Sequence, residues 1–400
     1  MGILIHPDRL LHVEAKNEKN KIIMPDKTIM DKKILIIDET LREGMQYRGL
    51  MFSYEQRLKI LNFQEKLGID ICQAGYPPAH GKEAAIIKRL CTHAEKQKYK
   101  IHIAAMGMAN LHSADILLAT GINDFHFHVY IKNSVTKEKL DQIFQNLLKT
   151  IEYVKKQNSK AVISVAMLDI GKTDDYILEK SILFLSQHNI EIISLPDTSG
   201  MMAPNQVFKK IDRFSLKTGR TKISIHCHND MGMASANSVM GIVAGGKILE
   251  ASALGIGERN GIADLYTSAK TLQTQGFDIN LKTDDIDTFK AYYQYVDSII
   301  FEQKEENLLN TNTPIFGDAV KTHVAGTHAD GQFGIASEEE FFLNVLCGRQ
   351  LVKKYLNAHK IHYVEDILDA LTLNIKDQSL QLNRCLTDTE IQLLISSLTN

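Results

Sequence analysis

The pattern that decides the fold is clearest in residues 222–244, which read KISIHCHNDMGMASANSVMGIVA. A short apolar run, Lys222–Cys227, ends in polar residues, and Ala234–Ala244 follows with helical periodicity after Gly232. Another apolar run, Lys247–Ala253, comes next. Alternation between a short β-branched run and a helix predicts parallel strands that are connected by helices.

The same unit recurs along the chain from Lys33 onward, and we expect eight strands. Eight strand–helix units match the size of a (β/α)8 barrel, the TIM barrel, which gives an α/β fold class. An open doubly wound sheet is the alternative. It is disfavoured because no GxGxxG motif follows the first strand and because polar motifs follow several different strands. The predicted strands are Ile34–Asp38, Asp70–Ala74, Ile101–Ala105, Asp124–Val129, Ala161–Ala166, Glu191–Ser194, Lys222–Cys227 and Lys247–Ala253, and the predicted helices include Tyr54–Leu67, Gly81–Glu95, Lys137–Lys156, Asp174–Gln187, Asn205–Leu216 and Ala234–Ala244.

The strand–helix alternation stops near Thr288, and this change divides the chain. We predict an N-terminal arm at residues 1–33, a catalytic barrel at residues 34–287 and a helical C-terminal subdomain at residues 288–400. The subdomain contains a loop rich in glycine and histidine, Thr322–Gly331.

The amino-acid composition limits the classes of molecule that this protein is expected to bind. The 400 residues carry 46 Lys plus Arg against 48 Asp plus Glu, a formal charge of −2, so no basic field attracts nucleic acid or an anionic membrane. No segment has the length of a membrane span, and the N-terminus lacks the apolar stretch of a secretory signal. Five cysteines without CxxC spacing favour reduced thiols in the cytoplasm. We expect a small-molecule partner.

The sharpest local signal is the His-x-His pair formed by His226 and His228. Alternate side chains of a strand share a face, so both imidazoles point the same way and can bind one divalent ion, while Cys227 faces the opposite layer. A pair of structural histidines is the alternative interpretation. Asn229 and Asp230 favour the metal because they offer acceptors that orient the imidazoles.

A second signal, DETLREGMQ at residues 38–46, ends the first predicted strand. An ordinary charged loop is the alternative, but barrel active sites collect at the C-terminal ends of strands, where the histidine pair also lies. The carboxylate of Glu43 and two imidazoles form a usual ligand set for a divalent metal. Arg42 would face negative charge that develops on a substrate oxygen. The loops DTSG, residues 197–200, and GIGERNG, residues 255–261, complete a ring of polar loops.

Together, the motifs DETLREGMQ, DTSG, HCHNDMG, GIGERNG and THVAGTHADG resemble the DRE-TIM metallolyase superfamily. Within it they are similar to the branch of homocitrate synthase and 2-isopropylmalate synthase. The motifs appear in the family's order between Ile34 and Gly331. The resemblance implies a catalytic TIM barrel followed by a helical subdomain, a zinc, manganese or magnesium ion, and a homodimer.

The resemblance also implies roles for individual residues. His328, in the THVAGTHADG loop, would take part in deprotonating an acetyl group, and His323 is a second candidate nearby. Ser134, in the loop after the fourth strand, is a candidate substrate contact on its position in the sequence and not on the resemblance. The full assignment is Arg42, His328 and Glu258 as catalytic residues, Glu43, His226 and His228 as metal ligands, and Gln46, Thr198, Ser134 and His323 as substrate-binding residues.

The activity that the resemblance implies is that of an acyltransferase in amino-acid biosynthesis, an acyl-CoA-dependent synthase. Such a synthase joins acetyl-CoA to a 2-oxo acid in a Claisen-type condensation. Two alternatives stay open. One is a metal-dependent lyase or aldolase that cleaves a 2-hydroxy acid or a hydroxyacyl-CoA, and the other is an inactive homologue that binds metal.

The identity of the 2-oxo acid depends on the third and fifth strands. In the homocitrate branch, basic residues near the ends of these strands bind the distal carboxylate of 2-oxoglutarate. Here Ala104–Met108 and Val162–Ala166 contain neither Arg nor His. A buried second carboxylate would therefore lack a partner. We expect an apolar 2-oxo acid such as 2-oxoisovalerate, or a small one such as pyruvate, unless a contact from elsewhere replaces the missing bases; the candidates are His126, His128, Ser134 and Lys172.

Overall fold

The computed structural model describes residues 32–131, 133–167, 169–188, 190–324 and 340–399. Residues 33–400 belong to one structural unit. The predicted N-terminal arm lies outside the described residues except for its last two positions. His328 and most of the THVAGTHADG loop also lie outside them.

A closed barrel of eight parallel strands forms the centre of the molecule. Each strand pairs with the next along the chain, and the eighth pairs with the first, so the sheet has no gap. A ninth strand of two residues extends the sheet beside the first. The strands are β1 (Lys33–Asp38), β2 (Ile71–Gln73), β3 (His102–Met108), β4 (Asp124–Val129), β5 (Val162–Met167), β6 (Ile192–Asp197), β7 (Lys222–Cys227), β8 (Ile248–Ala251) and β9 (Asp278–Ile279). The predicted TIM barrel is confirmed.

A helix follows each barrel strand, and further helices come after β9. The helices are α1 (Tyr54–Leu67), α2 (Gly81–Gln97), α3 (Leu111–Thr120), α4 (Lys137–Gln157), α5 (Asp175–Ser186), α6 (Pro204–Ser215), α7 (Ala234–Val243), α8 (Leu265–Thr274), α9 (Ile286–Lys304), α10 (Arg349–Ala358), α11 (Leu368–Leu382) and α12 (Asp388–Thr399). None of the helices within the described ranges is both long enough and apolar enough to cross a membrane.

The ends of α1 show how local sequence sets an element's bounds. Ser53 accepts a hydrogen bond from the backbone N–H of Gln56, whose side chain accepts from the backbone N–H of Ser53, so two free donors of the first turn are satisfied. Gly68 ends the helix with φ +80°, a left-handed conformation that glycine adopts without the clash of a Cβ atom. The predicted bounds of α1 therefore agree with the observed ones.

The strand register arranges the barrel interior in layers. One layer of the interior is a cluster of apolar residues that includes Ile37, Ile71 and Ile192. Two residues further along, the same faces present polar groups, since side chains alternate with a period of two. Gln73 follows Ile71 in this way, and Ser194 follows Ile192. The barrel is thus closed by an apolar plug at one end and opens onto a polar layer at the other.

Helix α9 is fixed to the barrel by a buried hydrogen bond. The hydroxyl of Tyr292 donates to Oδ2 of Asp38 over 2.8 Å and lies 3.1 Å from Oγ1 of Thr40. Phe289 and Val296 of the same helix join the main hydrophobic core. The predicted boundary at residue 288 therefore falls in the first turns of a helix that packs on the barrel.

The C-terminal helices α10 to α12 have a core of their own. Its buried members include Leu351, Leu371 and Ile391. Two short strands, β10 (Thr322–His323) and β11 (Glu340–Phe341), pair in parallel on either side of the residues that contain His328.

Replacement of Tyr292 by Phe tests the link between α9 and β1. The variant leaves a buried carboxylate of Asp38 with one donor fewer, so the free energy of unfolding should fall by about 1–3 kcal/mol. Denaturant titration would measure the change. Tyr295→Phe, on a half-buried ring of the same helix, should change the stability by less than about 0.5 kcal/mol. Equal losses in both variants would contradict the assigned role of Tyr292.

Candidate active site and metal centre

A cavity of about 590 Å3 lies at the C-terminal ends of the barrel strands. We call it the barrel cavity. This end of a TIM barrel is where the loops after different strands converge. The motif residues that line it are Arg42, Glu43, Gln46, Thr198, His226, His228 and Glu258. Side chains from four separate motifs therefore share one concave surface.

Glu43, His226 and His228 form a buried cluster whose candidate ligand atoms all lie within 4.8 Å of one another. The Nε2 atoms of the two histidines are 3.3 Å apart. Two nitrogens bound about 2.1 Å from one ion are about 3.0 Å apart in octahedral and about 3.4 Å apart in tetrahedral geometry. The observed separation falls in this range, so the cluster fits a single divalent ion.

The charge of the surroundings also fits a cation. Glu39, Glu43 and Glu250 are each at most 2% exposed, and Arg42 is the guanidinium beside them. Three carboxylates and one guanidinium leave two negative charges, and buried charge is costly unless it is neutralised. A divalent ion would supply the missing charge.

The ring of His226 is oriented by carboxylates behind it. Its Nδ1 lies 3.0 Å from Oε2 of Glu39 and 3.2 Å from Oε2 of Glu250. Burial alone would lower the pKa of His226, but these two carboxylates outweigh it and raise the pKa to about 10. With Nδ1 facing these carboxylates, Nε2 is directed at the cluster, which is the usual arrangement behind a metal-binding imidazole.

The other members of the cluster respond to the same environment. Burial raises the pKa of Glu39. Burial opposes ionisation of Glu43 as well, but Arg42 and the two histidines hold its pKa below the usual range. Burial and the neighbouring His226 lower the pKa of His228 to about 3, so its ring is neutral and able to offer a lone pair.

Arg42 connects the cluster to the barrel wall. Its Nη2 donates to Oε2 of Glu39 over 2.7 Å, its Nη1 pairs with Glu43, and its Nε donates to Gln73 of β2. The side chain is 13% exposed, so a part of the guanidinium is open to the cavity. The amide of Gln46, with its nitrogen turned to Glu43, donates to Oε2 over 2.7 Å.

The loop GIGERNG holds Glu43 through its backbone. The N–H of Glu258 donates to Oε1 of Glu43 over 3.1 Å, and a Cβ atom at Gly257 would lie 3.0 Å from Cγ of Glu43. At Gly261, with φ +84°, a Cβ atom would overlap the carbonyl oxygen of Gly255 at 1.9 Å. The two glycines allow the close approach that brings this loop to the carboxylate.

The DTSG loop is tied to the histidine loop and to the GIGERNG loop by one arginine. Arg259 donates from Nε and Nη2 to the two carboxylate oxygens of Asp230, at 2.8 and 2.9 Å, and also to the carbonyl oxygen of Thr198. The hydroxyl of Thr198 accepts from the backbone N–H of Asp169 over 3.0 Å. Thr198 is thereby fixed at the rim of the barrel cavity.

This arrangement of a metal-ligand cluster at the mouth of a barrel has a counterpart in a known family. The sequence profile of the HMGL-like family matches residues 33–292. The chain belongs to the HMGL-like family. The expected membership of the DRE-TIM metallolyase superfamily is confirmed.

Individual relatives of this HMGL-like protein are synthases by name. A probable 2-isopropylmalate synthase of Methanosarcina acetivorans is 27% identical over 370 residues, 87% of this chain and 68% of that protein. The homocitrate synthase of Pyrococcus abyssi is 27% identical over 339 residues, 82% of this chain and 89% of that protein. The crystal structure of the HMG-CoA lyase of Bacillus subtilis has a TM-score of 0.59 at 17% identity, with 71% of this chain and 97% of that chain covered, which shows a shared fold.

Two other predicted site residues are not among the described residues that line the barrel cavity. Ser134 is exposed in the loop after β4 and is not among the described residues that line the cavity. His323 is on β10, where its ring lies 5.8 Å from that of Phe341. His328 falls outside the described residues, so its role stays a prediction.

Sequence patterns left several cavity residues unassigned. Glu39 lies inside the DETLREGMQ motif, yet only the structure shows that it backs His226. Glu250 and Gln73 are inward-facing strand residues. The alternation of side chains along β8 and β2 could have identified them. His126 was considered only as a substitute contact for a second substrate carboxylate.

Removal of one imidazole tests the ligand set. Purified His228→Ala protein should lose tight binding of a divalent metal, because two ligands and an open face replace a three-ligand site. Elemental analysis after dialysis would measure the metal content per chain. His128→Ala is the matched control, since it belongs to the other His-x-His pair that lines the same cavity, on β4. Unchanged metal content in the His228 variant would refute the assignment.

Proposed function

We propose that the protein is a metal-dependent, acyl-CoA-dependent synthase that condenses acetyl-CoA with a 2-oxo acid. The observation that carries the proposal is the shared cavity of Arg42 and the cluster Glu43, His226 and His228. Named relatives that span most of the chain are synthases of this type. In balance, acetyl-CoA, the 2-oxo acid and water give a 2-hydroxy dicarboxylic acid and free CoA.

Glu43, His226 and His228 would hold the metal ion. The ion would supply a Lewis acid for the carboxylate and keto oxygens of the 2-oxo acid. Arg42 presents N–H donors where negative charge develops on the former keto oxygen, in a site from which much of the water is excluded. Gln46 and Thr198 line the same wall and would orient the substrate carboxylate.

Carbon–carbon bond formation needs a base to remove a proton from the methyl group of acetyl-CoA. By resemblance this base is His328, with His323 nearby. Glu258 is half-exposed at the cavity mouth and would take part in proton transfer there. The dimer and the cytoplasmic location also remain predictions.

A lyase or aldolase would use the same metal cluster in the reverse direction. A direct test separates the two reactions. Metal-loaded protein is mixed with acetyl-CoA and a panel of 2-oxo acids, and free thiol is measured. We expect thiol release that requires both a 2-oxo acid and the metal. If no 2-oxo acid stimulates thiol release from metal-loaded protein, the synthase proposal is wrong, and cleavage of a 3-hydroxyacyl-CoA would then support the lyase.

Arg42→Lys tests the role of the guanidinium within that reaction. Lysine keeps the charge but loses the planar array of donors, so kcat for thiol release should fall by about 100-fold or more. Metal content should stay that of the wild type. Arg48→Lys is the control, because Arg48 is exposed and pairs with Glu306. A kcat within about threefold of wild type in the Arg42 variant would exclude a transition-state role for this side chain.

A further inference from the structure

His126 of β4 is a buried polar residue in the wall of the barrel cavity. Its side chain is 2% exposed and contributes to the cavity lining. Nδ1 lies 2.9 Å from Nε2 of Gln73. Within the described part of the chain, Nε2 of the His126 ring has no hydrogen-bond partner. A buried polar atom without a partner either lowers the stability of the fold or binds a ligand.

The direction of the hydrogen bond to His126 is decided by Arg42. Nε of Arg42 contacts the side-chain oxygen of Gln73, and a guanidinium can only donate. The amide oxygen of Gln73 must therefore face Arg42, which turns the amide nitrogen towards His126. An amide nitrogen also only donates, so Nδ1 of His126 is the acceptor.

The proton of the His126 ring is then confined to Nε2. Burial lowers the pKa of His126 to about 4, so the ring is neutral at pH 7 and carries one proton. Because Nδ1 accepts from Gln73, that proton is on Nε2. The ring nitrogen that Gln73 leaves without a partner is therefore a donor, and the ring has no acceptor left for a ligand.

We propose that His126 is a specificity-determining residue that selects a 2-oxo acid whose side chain carries an uncharged hydrogen-bond acceptor, with Gln73 as the positioning residue that keeps Nε2–H in place. The substrate class rests on the proposed synthase function. The donor state of His126 does not depend on it.

The rest of the cavity wall explains why the acceptor is uncharged. Met106 of β3 and Ala166 of β5 lie on either side of the strand that carries His126, and both are cavity residues without charge. Arg42, the arginine among the described cavity residues, is already paired with Glu39 and Glu43. A second carboxylate at this wall would meet a neutral imidazole, and β3 and β5 supply no cation beside it. A wholly apolar side chain would instead leave the buried Nε2–H without a partner.

The donor state can be measured without any substrate. In full-length protein labelled with ¹⁵N at histidine, the His126 ring should show an unprotonated Nδ1 and a protonated Nε2 at pH 7. The signal is assigned by its absence in His126→Gln. In Gln73→Glu, the carboxylate accepts from both sides, so Nδ1 should become protonated. Ser164→Ala is the control, since Ser164 faces His126 across the strand register and should leave the signals unchanged. A protonated Nδ1 in the wild type would overturn the proposal.

Substrate selection is measured by calorimetry on metal-loaded protein, without acetyl-CoA. Three acids of similar length are compared: 2-oxoglutaramate with an amide end, 5-methyl-2-oxohexanoate with an apolar end and 2-oxoglutarate with a charged end. The amide should bind about 10-fold or more tightly than either of the others. The preference should disappear in His126→Phe and be retained in His126→Gln, whose amide donates near the position of Nε2.

The outcomes separate this inference from the proposed function. A preference for the apolar or the charged acid in the wild type, or a preference for the amide that survives in His126→Phe, would overturn the selection by His126. Neither readout requires turnover. Failure of thiol release with the tautomer and the binding order intact would refute the synthase and leave the role of His126 standing.

Discussion

Most of the site depends on one constraint, the burial of three carboxylates beside a single guanidinium. Glu39, Glu43 and Glu250 are nearly inaccessible to solvent, and Arg42 pairs with the first two. Such a cluster is stable only if further positive charge is present, either as protons on His226 and Glu39 or as a divalent ion. Burial raises the pKa of Glu39, and the two neighbouring carboxylates raise that of His226, so both groups favour their protonated forms. Metal binding would replace those protons, so metal affinity and proton release should be linked.

The barrel strands fix the positions of the residues in this cluster. Ser194 of β6 and Ser224 of β7 both donate to Oε1 of Glu250, and these two serines are neighbours in the strand register. The backing carboxylate of His226 is thus fixed by two strands, one of which, β7, also carries the metal ligand His226. On the opposite side, Gly257 lets the GIGERNG loop approach Glu43 so closely that a Cβ atom would lie 3.0 Å from Cγ of Glu43, tighter than an ordinary contact. Rigid strands position the imidazoles, while a glycine loop completes the carboxylate ligand.

The predictions from sequence succeeded where local pattern alone decides the structure. The bounds predicted for the fourth and seventh strands agree with β4 and β7, because each is a continuous run bounded by turn residues. The second strand is shorter than the predicted Asp70–Ala74: β2 begins at Ile71 and ends at Gln73, and the side chain of Asp70 accepts from the backbone N–H of Ile36. Strands β9, β10 and β11 have two residues each, too few for any periodicity to appear.

The candidate site, like the fold, was predictable where local sequence pattern decides the structure. Motif order and strand alternation identified the residues that the structure gathers at Glu43, His226 and His228. The contact between Gln73 and His126 could not be predicted from the sequence. It joins β2 to β4, and the sequence of neither strand determines the angle at which the barrel closes. Ser134 lies in an exposed loop, where the neighbouring Asn133 donates to the carbonyl oxygen of Lys172, and its contact with a substrate stays a prediction.

The contact between Gln73 and His126 shows how one fixed charge can determine which atom donates and which accepts in a hydrogen bond that it does not itself make. A chain of amides and imidazoles has no inherent direction, since each member can reverse and exchange donor for acceptor. Arg42 removes that freedom because its guanidinium stays protonated at any physiological pH and never accepts. The direction passes through Gln73 to His126, so a residue next to a metal ligand determines which hydrogen-bonding group the far wall presents. A carboxylate in place of Gln73 would end the chain in acceptors on both sides, and the same cavity would then present the opposite polarity to its substrate.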